Sequence, residues 1–214
     1  MRVAIPVLLC ALLSACNVVS VRVSALNDGR PRDERTYTIR PFSEDVGETD
    51  LRYQEFARVV QVVLDDAGLE RVESDDDADL IVLLAYGVTG ERDEIESYTT
   101  AHTVGSGGRY GYHSDGGFHG AVVVYNTDYF TRTLYRIELR LDALDADSVR
   151  GESDVRPAWQ LFAWAETASD DLRTIVPYLA AASAPHVGGQ TPNAVRVKIA
   201  PDDEALLRII ERSR

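Results

Sequence analysis

Cysteine, lysine and long apolar runs are what this chain has least of. Only Cys10 and Cys16 are present, both near the start, so everything after residue 16 lacks disulfide and thiol chemistry. Lys198 is the sole lysine. Basic residues number 22 against 35 acidic ones, a net charge of −13, which disfavours nucleic acid and docking on anionic lipid by overall charge. No stretch reaches the roughly 20 apolar residues that a spanning helix needs. A Gly-x-Ser-x-Gly elbow, a Gly-Lys-Ser/Thr phosphate loop and the standard zinc-histidine spacings are all missing.

What is there begins at the N-terminus. Arg2 precedes an almost wholly apolar run over residues 3–13, the length of a secretory signal core. Leu13-Ser14-Ala15-Cys16 then resembles the bacterial lipobox. That resemblance implies recognition of Leu13, Ser14 and Ala15 by a signal peptidase and cleavage before Cys16. It also implies diacylglycerol on the Cys16 sulfur and an acyl chain on the new amino group. Several chains are needed because one gives only marginal membrane binding. Asn17 is not Asp, so the enterobacterial sorting rule favours the outer membrane, facing the periplasm. Cleavage removes Arg2 and no acid, leaving about 200 residues, enough for one well-packed domain.

Residues 16–35 read as the lipidated cysteine and a tether, with a strand-like stretch at 18–23 before the turn-rich Asn27-Asp28-Gly29. The folded domain is expected over residues 36–214, opening with a strand at 36–39. Phe56, Val59, Val60, Val63, Leu64 and Ala67 recur at helical spacing, with Thr49 or Asp50 as cap and Gly68 as stop. Residues 69–73 suggest a short strand, and residues 80–88 a strand buried on both faces. Residues 131–142 alternate strictly, Ile137, Leu139 and Leu141 against Arg136, Glu138, Arg140 and Asp142. A strand at 159–165 places Trp159 on one face and Phe162 with Trp164 on the other; core packing is the expected role of all three. A Ser169-capped helix to about residue 182, interrupted by Pro177, a last strand at 195–199 and a short helix through Ile210 complete the order. These elements predict a single α+β domain, a twisted, mainly antiparallel sheet with two main helices on one face.

Residues 90–120 are rich in Gly, Ser, Tyr and His and read as a long insertion between two strands, an extended hairpin or a loop flexible over 91–119. Its Tyr98, Tyr110, Tyr112 and Phe118 form a candidate contact surface. His102, His113 and His119, with Asp115, fit no metal spacing, so no metal is expected. Asp142, Asp145, Asp147 and Glu152 lack the glycine of a calcium loop. No catalytic constellation is apparent, no cofactor beyond the lipid is implied, and the domain is expected not to be an enzyme.

In order along the chain, Thr36-Tyr37-Thr38, a helix closing at Ala67-Gly68-Leu69, Ala78-Asp79-Leu80, the strand to Asp142, Trp164-Ala165-Glu166 and Val176-Pro177-Tyr178 resemble DUF4136, a domain of unknown function found in bacterial lipoproteins. The likeness covers most of residues 36–211, without the family's Trp-Arg-Gly pattern. It implies fold and envelope location, with no activity to carry over. The expected role is a lipid-anchored envelope lipoprotein with a non-catalytic interaction domain, its partners the membrane and another envelope protein. A small-molecule or lipid-binding accessory of envelope transport is the alternative, and a metal-dependent hydrolase comes third.

Overall fold

The computed structural model describes residues 18–30, 34–104, 122–151 and 155–214. Leu13, Ser14, Ala15, Cys16, Tyr110, Tyr112, Phe118, His113, His119 and Asp115 lie outside the described residues.

Helix α1 (Leu51–Asp66) begins where Asp50 turns its carboxylate onto the Tyr53 N–H at 2.9 Å. It ends in a Schellman motif. The Gly68 N–H donates to the Asp65 carbonyl at 3.0 Å, and the Leu69 N–H to that of Leu64 at 3.1 Å. Gly68 carries φ of +90°, which a side chain would resist. Helix α2 (Ala146–Arg150) is a single short turn capped by Asp145. Helix α3 (Leu172–Ser183) continues through Pro177, and its cap is Asp171 rather than Ser169. Ser169 instead binds the Asp171 N–H one step earlier, at 3.2 Å. Helix α4 (Glu204–Arg212) starts at Asp203, whose carboxylate takes the N–H groups of Ala205 and Leu206.

Seven strands make one mixed sheet: β1 (Val19–Asn27), β2 (Thr36–Pro41), β3 (Glu70–Arg71), β4 (Leu80–Val104), β5 (Val122–Asp145), β6 (Pro157–Thr167) and β7 (Val195–Ile199), in the order β3-β2-β4-β5-β6-β1-β7. β2 runs parallel to β3 and β4; the β1–β6, β1–β7 and β5–β6 pairs are antiparallel. Hydrogen bonds from Thr133 to Asp93 and Arg132 to Glu96, with a Thr99–Thr127 contact, cross between β4 and β5 in descending register. Those strands are therefore antiparallel too. The class is α+β, with antiparallel pairs in the majority.

Two expectations need correction. Residues 19–27 are no tether: β1 lies between β6 and β7, and Val21, Val23 and Ala25 are buried. The polar turn after it marks a loop inside the fold, because β1 finds its partners more than a hundred residues later. Residues 91–104 are not a flexible loop either; they extend β4 to 25 residues, the strand that an extended hairpin requires.

The chain forms two compact units, a body of residues up to Glu91 and from Tyr135 onward, and a ribbon, Arg92–Leu134. In the body α1, α3 and α4 supply Phe56, Val60, Leu64, Leu179, Leu206 and Ile209 to one core cluster with Tyr37, Leu80, Ile137, Leu139, Trp159 and Leu161 of the sheet. The short last helix, expected as an element, thus joins the two main helices in the core. Leu80, Ile81, Val82 and Leu84 have the predicted burial, but Leu83 is half-buried and exposure rises toward Val88. Polar ties fasten the core's margins. The Tyr37 hydroxyl donates to Asp65 at 2.8 Å and the Tyr53 hydroxyl to the Ile39 carbonyl at 3.0 Å. Burial first, then neighbouring acids, raises both phenols, Tyr53 to about 12. Asp79 receives the N–H groups of Arg35 and Thr36 at 2.8 and 2.9 Å, joining the starts of β2 and β4. Those bonds hold its carboxyl below the usual range. Thr191 continues the edge beyond β7, its hydroxyl accepting from the Ala25 N–H at 3.0 Å.

Candidate interaction surfaces

In the body the three longer helices cover one face of the sheet, and side chains of opposite parity line the other. Cross-strand register arranges that second face in rows. One row runs Arg196–Arg22–Trp164–Glu138, the next Ser24–Phe162–Arg140, and the next Leu26–Gln160–Asp142. Phe162 and Trp164 are half-buried and stack with ring centroids 5.0 Å apart. They were expected in the core; only Trp159, 3% exposed, is there. Arg136 lies over the Trp164 ring at 5.2 Å and Arg140 over Phe42 at 4.9 Å, both cation–π distances. The same two arginines donate to Glu138 and Asp142, each at 2.6 Å. Asp142 is itself buried and so relies on that partner. Two shallow pockets flank the aromatic pair. One of about 290 Å³ is lined by Ser24, Leu26, Arg140, Asp142, Gln160 and Phe162. The other, of about 360 Å³, is lined by Ser20, Arg22, Arg136, Trp164, Glu166 and Arg196.

A third pocket, of about 590 Å³, lies among α1, α3 and α4 beside Phe56, Val59, Tyr178 and Ile210. The layer between helices and sheet is filled by Tyr37, Phe56, Leu64, Leu80 and Leu161, each essentially inaccessible.

The ribbon carries the other candidate surface. Tyr98, named from the sequence, is exposed there and sits 6.3 Å from Phe130. Ile95, Tyr125 and Tyr129 are 71%, 70% and 72% exposed. Strand parity puts Tyr98 and Phe130 on one side, and Ile95, Tyr125 and Tyr129 on the other. Sequence reading stopped the insertion at residue 119 and so missed Tyr125, Tyr129 and Phe130. The alternation of Tyr125 and Tyr129 with Asn126 and Asp128 was the available signal for the first two.

The remaining candidates scatter. His102 lies in β4, with its side chain outside the described residues, and His186, the one histidine outside the insertion, ends a 3₁₀ turn, Ala184–His186. Asp145 caps α2 and also pairs with Arg156, Asp147 pairs with Arg150, and Glu152 lies outside the described residues. Among the described residues no group of three or more His, Cys, Asp or Glu could hold a metal ion. No helix among them is long and apolar enough to cross a membrane.

No family model and no curated protein matches the chain. Two solved structures are similar to it. A PDZ domain protein from Parabacteroides distasonis is 14% identical with a TM-score of 0.41, over 89% of this chain and 40% of that one. PelC from Paraburkholderia phytofirmans, solved as a dodecamer, is 9% identical with a TM-score of 0.38, over 80% of this chain and 99% of that one. The chain thus spans well under half the length of the first, and neither likeness carries a functional conclusion.

Proposed function

We propose that this chain is a lipid-anchored lipoprotein of the bacterial envelope, of the kind the DUF4136 resemblance implies, whose non-catalytic domain contacts another envelope component. Cys16, preceded by Leu13-Ser14-Ala15, is the anchor, and the outer membrane is its site. The observation that carries the contact role is the ribbon's display of Ile95, Tyr98, Tyr125, Tyr129 and Phe130, all exposed. Among the described residues this two-stranded ribbon has no second layer to bury such side chains, and exposed apolar groups in number mark contact sites. Aromatic side chains also supply large contact area with few torsions to freeze.

Membrane-fraction cross-linking tests the contact. A photo-reactive side chain at Tyr129 should give a discrete adduct with an envelope protein, and one at exposed Leu207 of α4 should not. Equal labelling from both positions, or from neither, removes the ribbon as the contact. The anchor is tested separately. Cys16→Ser should move the protein out of the membrane pellet and abolish the mass added by acylation; an unchanged pellet sinks that reading.

A further inference from the structure

On the body's open face, Arg22, Arg196 and Lys198 meet no ion-pair or hydrogen-bond partner among the described residues. Arg40, Arg136, Arg140, Arg173 and Arg212, by contrast, each have a carboxylate partner. In a chain with 35 acids, leaving adjacent cations bare is unusual. Arg22 moreover stands directly opposite Arg196 across the β1–β7 pair, with Lys198 opposite Ser20 in the neighbouring row. Like charges directly opposite are destabilising. Charges on β7 alone could be explained as guards of an unpaired sheet edge. That does not account for Arg22, which sits on β1, an inner strand. Both arginines line the pocket of about 360 Å³ whose wall is Trp164 and whose rim holds Ser20 and Glu166. Arg136 is committed to Glu138, which leaves Arg22 and Arg196 as the two uncommitted cations lining the pocket.

We infer that this pocket binds a phosphate group, held by the guanidinium forks of Arg22 and Arg196. Planar guanidinium matches phosphate oxygens in pairs, and a bound anion, singly charged for a diester headgroup and up to doubly charged for a monoester, offsets the Arg22–Arg196 repulsion. A lipid headgroup and a soluble phosphate ester offer the same chemistry. The headgroup source rests on the anchoring reading above. Ser20 is four residues from Cys16, so at most about 15 Å of extended chain separates them.

Trp159 and Trp164 are the only tryptophans, one in the core and one on the pocket. The full chain in neutral detergent micelles, titrated with inorganic phosphate, should give a saturable emission change that Trp164→Phe removes. Arg22→Gln should weaken the response about tenfold or more. It should also raise the melting temperature in phosphate-free buffer, where only the repulsion is lost. No saturable change, or an Arg22→Gln response equal to wild type, overturns the inference. Full chain reconstituted in phosphatidylcholine vesicles, with and without phosphatidylglycerol, separates the sources. A Trp164 response confined to the anionic vesicles assigns the headgroup, and one confined to added phosphate assigns the soluble group. The phosphate titration does not depend on lipidation, so failure of the anchor leaves it readable.

Discussion

The body and the ribbon are built from the same two strands yet solve opposite problems. In the body β4 and β5 lie in a seven-stranded sheet, and helices cover one face of it. Alternation along β5 there separates inaccessible Ile137, Leu139 and Leu141 from the charged row of Arg136, Glu138 and Arg140. In the ribbon the alternation persists, with no third strand or helix in that unit among the described residues. Tyr125, Tyr129 and Ile95 stay exposed although they are as apolar as core residues. Periodicity therefore assigns side chains to a common face, while burial requires a layer laid on that face.

Truncation at the two places should separate them most sharply. Leu139→Ala should cost the body about 2–5 kcal/mol in urea unfolding, because the surrounding core cannot close on the cavity. Tyr129→Ala should change unfolding by no more than about 0.5 kcal/mol. Comparable losses would mean that the ribbon has a core of its own.

Removing the ribbon altogether is the next test. Glu91 joined to Tyr135 through Asn-Gly should leave a cooperatively folded body, because a two-residue turn suits an antiparallel pair. Far-UV circular dichroism with a single sharp melt checks this, and the Tyr129-dependent cross-link should disappear with the ribbon.

Smaller effects sharpen the body's side of the contrast. Asp79→Ala removes acceptors of the Arg35 and Thr36 N–H groups and should cost about 1–2 kcal/mol at neutral pH. The folded-state pKa of Asp79 lies below its unfolded value. Its contribution is therefore present above the unfolded pKa and fades as pH falls toward the folded one. Wild type and Asp79→Ala should thus converge in acid; a constant gap would show that the bonds do not depend on ionisation.

Alkali tests a second tie at the core's margin. Tyr53 is raised from 10.0 to about 12 in the fold, so its protonated form is favoured there. Its contribution is complete below pH 10 and is lost as pH rises toward 12. Tyr53→Phe should flatten the wild-type decline between those values.

Much of the body was legible because its signals are local. The caps at Asp50 and Gly68 and the strict alternation in β5 each need only a few neighbouring residues. β1 was not legible. Its partners are Leu161, Ala163 and Ala165 on one side and Val195 and Val197 on the other. Nothing near residue 20 announces them, and the Asn27-Asp28-Gly29 turn suggested a linker. Phe162 and Trp164 were misplaced for a related reason. An aromatic pair on one strand face fits a core or a surface equally well until the side that receives the helices is known.

By itself, then, the amino-acid order determined where helices start and stop, which side chains share a strand face, and the lipobox-like segment that ends at Cys16. Those properties follow from backbone geometry and hydrogen bonding over a few residues. Only tertiary structure decided that β1 belongs in the sheet, that Arg22 comes to face Arg196, and that one aromatic set is sealed while another is left open. Each of those outcomes depends on which distant segment packs alongside, and short-range pattern carries no information about that.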